Sequence, residues 1–252
     1  MMPLFYIIHQ SFIQSFLRTL GVTSDVADTT KIQKATFDAL DEQLYPIELS
    51  GQCFANAKTL LLAILQNDLS ISANEFAKHL AKQSVYQSWI NFTVYGRYVE
   101  RSFQAFYQQE KDDFNMEMSG LLLQELKRHT RCLPKNQVLF ASGFSQKQLS
   151  QKQLGQKQLD RLAGEHRLLN VTVNPAFAVA QADGDTSTVK VINMFCVAST
   201  GVLAVAIKPR QLTNQRHRNE LLIVDFKQLR LQQEQRLTTT NGEYVVKFYQ
   251  IS

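Results

Sequence analysis

The spacing of apolar positions changes character at Pro134. Before it, apolar residues recur at helical intervals. Leu4, Phe5, Ile8, Phe12, Phe16 and Leu20 share one face, which predicts an amphipathic helix packed on a core rather than one lying on a membrane. Residues 30–44 place Ile32, Ala35, Phe37, Leu40 and Leu44 together and predict a second helix. Residues 54–65, FANAKTLLLAIL, are apolar nearly all round and read as a central helix. Ser72 followed by Glu75 has the spacing of a capping box, opening a helix that runs to about Gln83. Residues 89–109 and 116–130 complete the helical set, and Pro134 ends it.

After Pro134 the period shortens to two. Strands are expected at 138–144, 168–173, 189–198, 202–208, 221–226 and 244–251, all rich in β-branched and aromatic residues. Asp183-Gly184, Thr200-Gly201 and Asn241-Gly242 supply turns between them. Helices first and then a mostly antiparallel sheet make an α+β protein. The expected division is a helical lobe over 1–134 and a β-core over 135–252, which also reads as one continuous domain.

Between the first of these strands and a turn at Gly164 lies SQKQLSQKQLGQKQL, residues 145–159, one five-residue unit three times over with a single Ser-to-Gly change at Gly155. On a helix a five-residue step advances by about 500°, so Leu149, Leu154 and Leu159 drift by about 140° each time and form no stripe. The segment reads as a surface helix or loop lengthened by repetition. A Gln-rich partner strip is the functional alternative.

Composition narrows the classes. With 252 residues, 44% hydrophobic and 19% charged, the chain is globular and long enough to bury a core. A net charge of +5 permits an acidic partner or a phosphate-bearing ligand. The Lys and Arg are dispersed and no DNA- or RNA-reading motif is present, so nucleic acid is not expected. Cys53, Cys132 and Cys196 lie far apart without a CxxC, and His9, His79, His129, His166 and His217 form no ligand pair. Neither a disulfide framework nor a metal is expected, and a reducing compartment is the default. No run of about 18 apolar residues exists to span a membrane.

Three segments carry a resemblance. Val138-Leu139-Phe140-Ala141-Ser142-Gly143, then Val171-Thr172-Val173-Asn174-Pro175-Ala176-Phe177-Ala178-Val179-Ala180, then Arg218-Asn219-Glu220-Leu221-Leu222-Ile223 follow one another in the order of the landmarks of mono-ADP-ribosyltransferases. Over roughly residues 136–252 the chain resembles the arginine-serine-glutamate subclass of bacterial toxins and effectors. In that subclass the landmarks are Tyr-Arg-Gly, Ser-Thr-Ser with Asn-Pro and an Ala-rich helix, and Glu-x-Glu or Gln-x-Glu at a strand start. Phe140 stands where the tyrosine would be and Ala141 where the arginine would be. Of the Ser-Thr-Ser only Thr172 remains. Glu220 takes the place of the second glutamate and Arg218 that of the first.

The resemblance implies NAD as a substrate, Glu220 as the catalytic residue, and Ser142, Thr172, Phe177 and Arg218 as residues of the NAD site. It implies a protein target, and a secreted or host-delivered bacterial effector; without it a cytoplasmic protein is the default. The departures also have chemical meaning. Alanine at 141 cannot grip the NAD phosphates as an arginine does. Valine at 171 makes no hydrogen bond where the first serine would. Arg218 repels a guanidinium acceptor. The basic positions Lys208, Arg210, Arg216 and Arg218 are a substitute cation source, a dock for an acidic protein, or a solvated loop. Arg131 is a second substitute off the motif; Arg97, in TVYGR, falls too early. Two function classes follow: an enzyme moving ADP-ribose from NAD to a protein side chain, or a catalytically inactive module of the same fold that binds a partner. Read alone, Glu220 also fits a polar strand start, Thr172 fits β-propensity, and Phe177 fits a core position.

Overall fold

The computed structural model describes residues 35–91, 127, 129–143, 169–207 and 217–252. All belong to one compact unit, Lys34–Ser252. The helix expected over 4–20, residues 92–109 and 116–126 of the helices expected over 89–109 and 116–130, the repeat at 145–159, Arg97, Lys208, Arg210 and Arg216 lie outside the described residues.

Helix α1 is Leu40–Leu44, and β1, Ile47–Leu49, pairs with β2, Gln52–Phe54, in a small hairpin. Then follow α2 (Ala57–Leu65), α3 (Ala73–Ala81) and α4 (Ser84–Asn91). Strands β3 (Arg131–Cys132), β4 (Val138–Ser142) and β5 (Leu169–Thr172) lead to α5 (Pro175–Asp183). The chain ends with β6 (Val189–Val197), β7 (Leu203–Ala206), β8 (Glu220–Asp225), β9 (Leu229–Thr239) and β10 (Gly242–Ile251). The large sheet has the order β3-β7-β8-β5-β4-β6-β10-β9. Only its β6–β10 pair is parallel among the described strands. The protein is α+β, as its change of period predicts.

Side-chain caps open two of the helices before the large sheet. Ser72 and Glu75 make the expected capping box: the Ser72 hydroxyl accepts from the Glu75 N–H at 3.2 Å, and Glu75 Oε2 accepts from the Ser72 N–H at 2.8 Å. Asn56 and Thr59 cap α2 in the same reciprocal way. The burial of Leu60, Leu61, Ile64 and Leu65 makes α2 the central helix expected. Trp89, fully buried on α4, stacks tilted on Phe37 at 4.7 Å and donates to the Asp38 carbonyl at 3.0 Å.

Three helical expectations are corrected. Residues 35–37 are not helical: Thr36 bridges to Cys132, with the Phe37 N–H on the Cys132 carbonyl at 2.9 Å. Pairing to the sheet outweighs local propensity there, and among the described residues of the segment only Leu40–Leu44 is helix. Phe54 ends a strand rather than opening α2. The region before Pro134 is therefore not all helical; it holds the hairpin and β3. The strand β9 was not expected at all. Its LRLQQEQRLTT sequence is polar because it is an exposed sheet edge, where Arg230, Glu234 and Arg236 discourage pairing with other chains.

A carboxylate ties the helical part to the sheet. Asp41 Oδ2 accepts from the Val138 N–H at 2.8 Å and from the Gln137 amide, whose Oε1 accepts from the Leu40 N–H at 3.0 Å. Burial pushes the Asp41 carboxyl up to about 7, against the hydrogen bonds from Val138 and Gln137 that pull it down.

Candidate functional site

Register decides which residues meet. Thr172 lies opposite Glu220, and Phe140 lies opposite Thr172. Directly paired residues project to the same side of a sheet, so Glu220, Thr172 and Phe140 form one cross-strand row. Val171 pairs with Leu221, and Ala141 with Asn193, in the neighbouring row, which projects to the opposite side. Val171 and Ala141 thus lie on the other side of the sheet from Glu220, whereas Thr172 and the fully buried Phe140 share its side. Arg131 pairs with Ala204, which pairs with Ile223, two residues from Leu221. It therefore shares the Val171 side and does not face Glu220.

Glu220 opens β8 and is 9% exposed. Its Oε1 accepts from the Asn170 amide at 3.1 Å, and its Oε2 lies 3.8 Å from Arg218 Nη1. The Arg218 side chain keeps 33% of its surface. One oxygen of the carboxylate accepts from a neutral amide and the other lies beside a cation.

The segment carrying it is held by buried polar groups. Thr172 Oγ1 donates to the Arg218 carbonyl, with the Asn219 carbonyl at 3.2 Å, and accepts from the Asn174 N–H at 2.9 Å. Its hydroxyl is thereby committed inside the protein, and it positions residues 218–220. Asn219 takes a left-handed backbone (φ 49°), which asparagine tolerates better than most residues. Its amide donates to the Tyr86 oxygen at 2.6 Å. Burial pushes the Tyr86 phenol up to about 12, so it stays protonated around neutral pH.

Asn174 joins these parts. It is fully buried, and its Oδ1 accepts from the Phe177 N–H at 3.1 Å, capping α5, with Pro175 at the first helical position. Its amide reaches the Ala73 carbonyl at 2.9 Å, the His217 carbonyl at 2.9 Å and Asn219 Oδ1 at 3.0 Å. The start of α3, the start of α5 and the approach to Glu220 therefore meet on one side chain. Phe177 is buried and meets the His217 ring edge-on at 5.5 Å. Ser142 lies two residues from Phe140, on the same side of the sheet, and its hydroxyl donates to Gln181 Oε1 at 3.2 Å.

Glu220, Thr172 and Arg218 come together as the motifs imply, with Phe177 packed on His217 next to Arg218 in sequence. Ser142 is drawn instead toward the C-terminal half of α5. Asn170, Asn219 and Tyr86 join the same hydrogen-bonded cluster. Asn170 stands two residues before Thr172 on a strand, a spacing that puts both on one side; Tyr86 has no local signature. No group of His, Cys, Asp and Glu with metal-binding geometry occurs among the described residues. None of their helices is long and apolar enough to cross a membrane.

No family model matches the chain, and no curated protein sequence does. Among solved structures the chain is similar to the Vis toxin, an ADP-ribosyltransferase from Vibrio splendidus: 14% identity, TM-score 0.40, covering 74% of this chain and 90% of that one. It is similar to the C3larvin toxin, an ADP-ribosyltransferase from Paenibacillus larvae, at 13% identity and TM-score 0.35 over 75% of this chain and 98% of that one. A third similar structure is the ADP-ribosylating toxin BECa of C. perfringens with NADH, at 8% identity and TM-score 0.37, covering 74% of this chain and 49% of that one.

Proposed function

We propose that this chain is a diverged mono-ADP-ribosyltransferase, moving ADP-ribose from NAD to a protein side chain, and that it works as a secreted or host-delivered bacterial effector. The observation that carries the reading is the row in which Thr172 faces Glu220, with Asn170 and Arg218 fixing the carboxylate. A held anion beside a ribose stabilises positive charge as it develops at the sugar carbon when nicotinamide leaves. Glu220 has that role. Thr172, Asn174 and Asn219 hold it in place, and Phe177 borders the nicotinamide. Phe140 and Ala141 supply no cation, so the pyrophosphate is gripped by Arg210 and Arg216 of the basic segment before His217.

The ion pair between Arg218 and Glu220 favours a second reading, an inactive module of the same fold that binds a partner, because a paired carboxylate stabilises a nearby cation less. Calorimetric titration separates the two. The enzyme binds NAD in the micromolar to millimolar range, and Arg210→Ala with Arg216→Ala weakens binding by about tenfold or more. Absence of heat at millimolar NAD removes the enzyme and leaves the module.

A further inference from the structure

We propose that the side chain modified is a carboxylate, an Asp or Glu of a protein partner; this rests on the reading of Glu220 as the residue that acts on NAD. The partly exposed charge beside the reacting carboxylate is positive. Arg218 Nη1 stands 3.8 Å from Glu220 Oε2, and the Arg218 side chain keeps a third of its surface. Its root is rigid: Thr172 holds the Arg218 carbonyl, and the left-handed Asn219 that follows is anchored by Asn174 and Tyr86. A guanidinium with five donors spans Glu220 and an incoming carboxylate together.

Charge and proton balance select among acceptors. An arginine acceptor meets a like charge. An amide or hydroxyl must lose a proton as it attacks, whereas a carboxylate arrives as an anion and needs no base. A carboxylate oxygen donates an electron pair to C1 of the nicotinamide ribose, and the bond from that carbon to nicotinamide breaks with its pair staying on the ring nitrogen. One ester and one neutral nicotinamide result, and no proton moves.

The test uses the full chain, labelled NAD, and poly-glutamate, poly-arginine or a 5′-phosphorylated oligonucleotide as acceptor, with nicotinamide release into water followed in parallel. Label is expected on poly-glutamate at about tenfold or more over poly-arginine. Arg218→Glu reverses that ratio, and Arg218→Lys, which keeps the charge, preserves its direction. Preferential labelling of poly-arginine or of the oligonucleotide overturns the carboxylate acceptor and leaves the NAD reading standing. Nicotinamide release with no acceptor labelled does the same. Absence of both release and label overturns the NAD reading and the acceptor with it.

Discussion

Replacing Asn174 with alanine removes four interactions from the interior at once. The helix α5 loses its cap, worth about 1 kcal/mol. The Ala73 and His217 carbonyls and Asn219 Oδ1 lose the donor they share. Each buried acceptor left unsatisfied costs about 1–3 kcal/mol, reduced here because one amide with two hydrogens serves all three and because Asn219 can repack toward Tyr86. The expected loss is about 3–4 kcal/mol, which lowers the Tm of a chain this long by roughly 10 °C. Urea unfolding measures it well, since Trp89 is the one tryptophan and lies fully buried against Phe37. Asn174→Ser keeps a capping oxygen and loses the amide donors, so it falls between wild type and Asn174→Ala, about 1 kcal/mol above the latter. A loss below about 1 kcal/mol in Asn174→Ala, with an unchanged m value, refutes the idea that this side chain holds the site together.

Thr172→Val keeps the shape of the side chain and removes its hydrogen bonds to the Arg218 carbonyl and from the Asn174 N–H, while the Asn219 carbonyl keeps the Val173 N–H; it is expected to cost about 1–3 kcal/mol, while Thr172→Ser costs under 1 kcal/mol, both read by urea unfolding. The Asp41 carboxyl is raised from 3.8 to about 7, so the folded protein holds that proton more tightly than the unfolded chain. Its contribution is fully present below about pH 4 and is lost as pH rises to about 7, by at most about 4 kcal/mol. Asp41→Asn therefore flattens the stability profile between those limits in thermal melts taken across the range; an unaltered profile contradicts the assignment. Deleting one SQKQL unit from residues 145–159 is expected to change stability by less than about 2 kcal/mol in urea unfolding; a larger loss contradicts the reading of the repeat as filler.

How far the sequence carries differs between backbone and site. The strands β4, β5, β6, β7, β8 and β10 are legible because their β-branched and aromatic runs are buried. The strand β9 is not, since an edge facing water has no apolar alternation to read. Residues 35–37 and the β1–β2 hairpin escape because long-range pairing and tight turning override a helical spacing. Ser50 and Gly51, both with positive φ, make that turn. At the site, Glu220, Thr172 and the Asn174-Pro175 cap are visible in the chain itself. Their mutual register is not. A shift of one residue moves Val171 and Ala141 to the far side of the sheet, and only the pairing of β4 with β5, and of β5 with β8, reveals it. Tyr86 and the Ala73 carbonyl reach the site from more than a hundred residues away, so no local pattern announces them.

The most direct measurement is the release of nicotinamide from NAD by the wild-type chain beside Glu220→Gln. Glutamine retains the size of the side chain and an acceptor for Asn170 but carries no charge to stabilise the developing cation. The account predicts turnover by the wild type and a fall of about a hundredfold or more in the variant, with unfolding by urea changed by less than about 2 kcal/mol. Equal rates in the two proteins, or no release by either at millimolar NAD, contradict it.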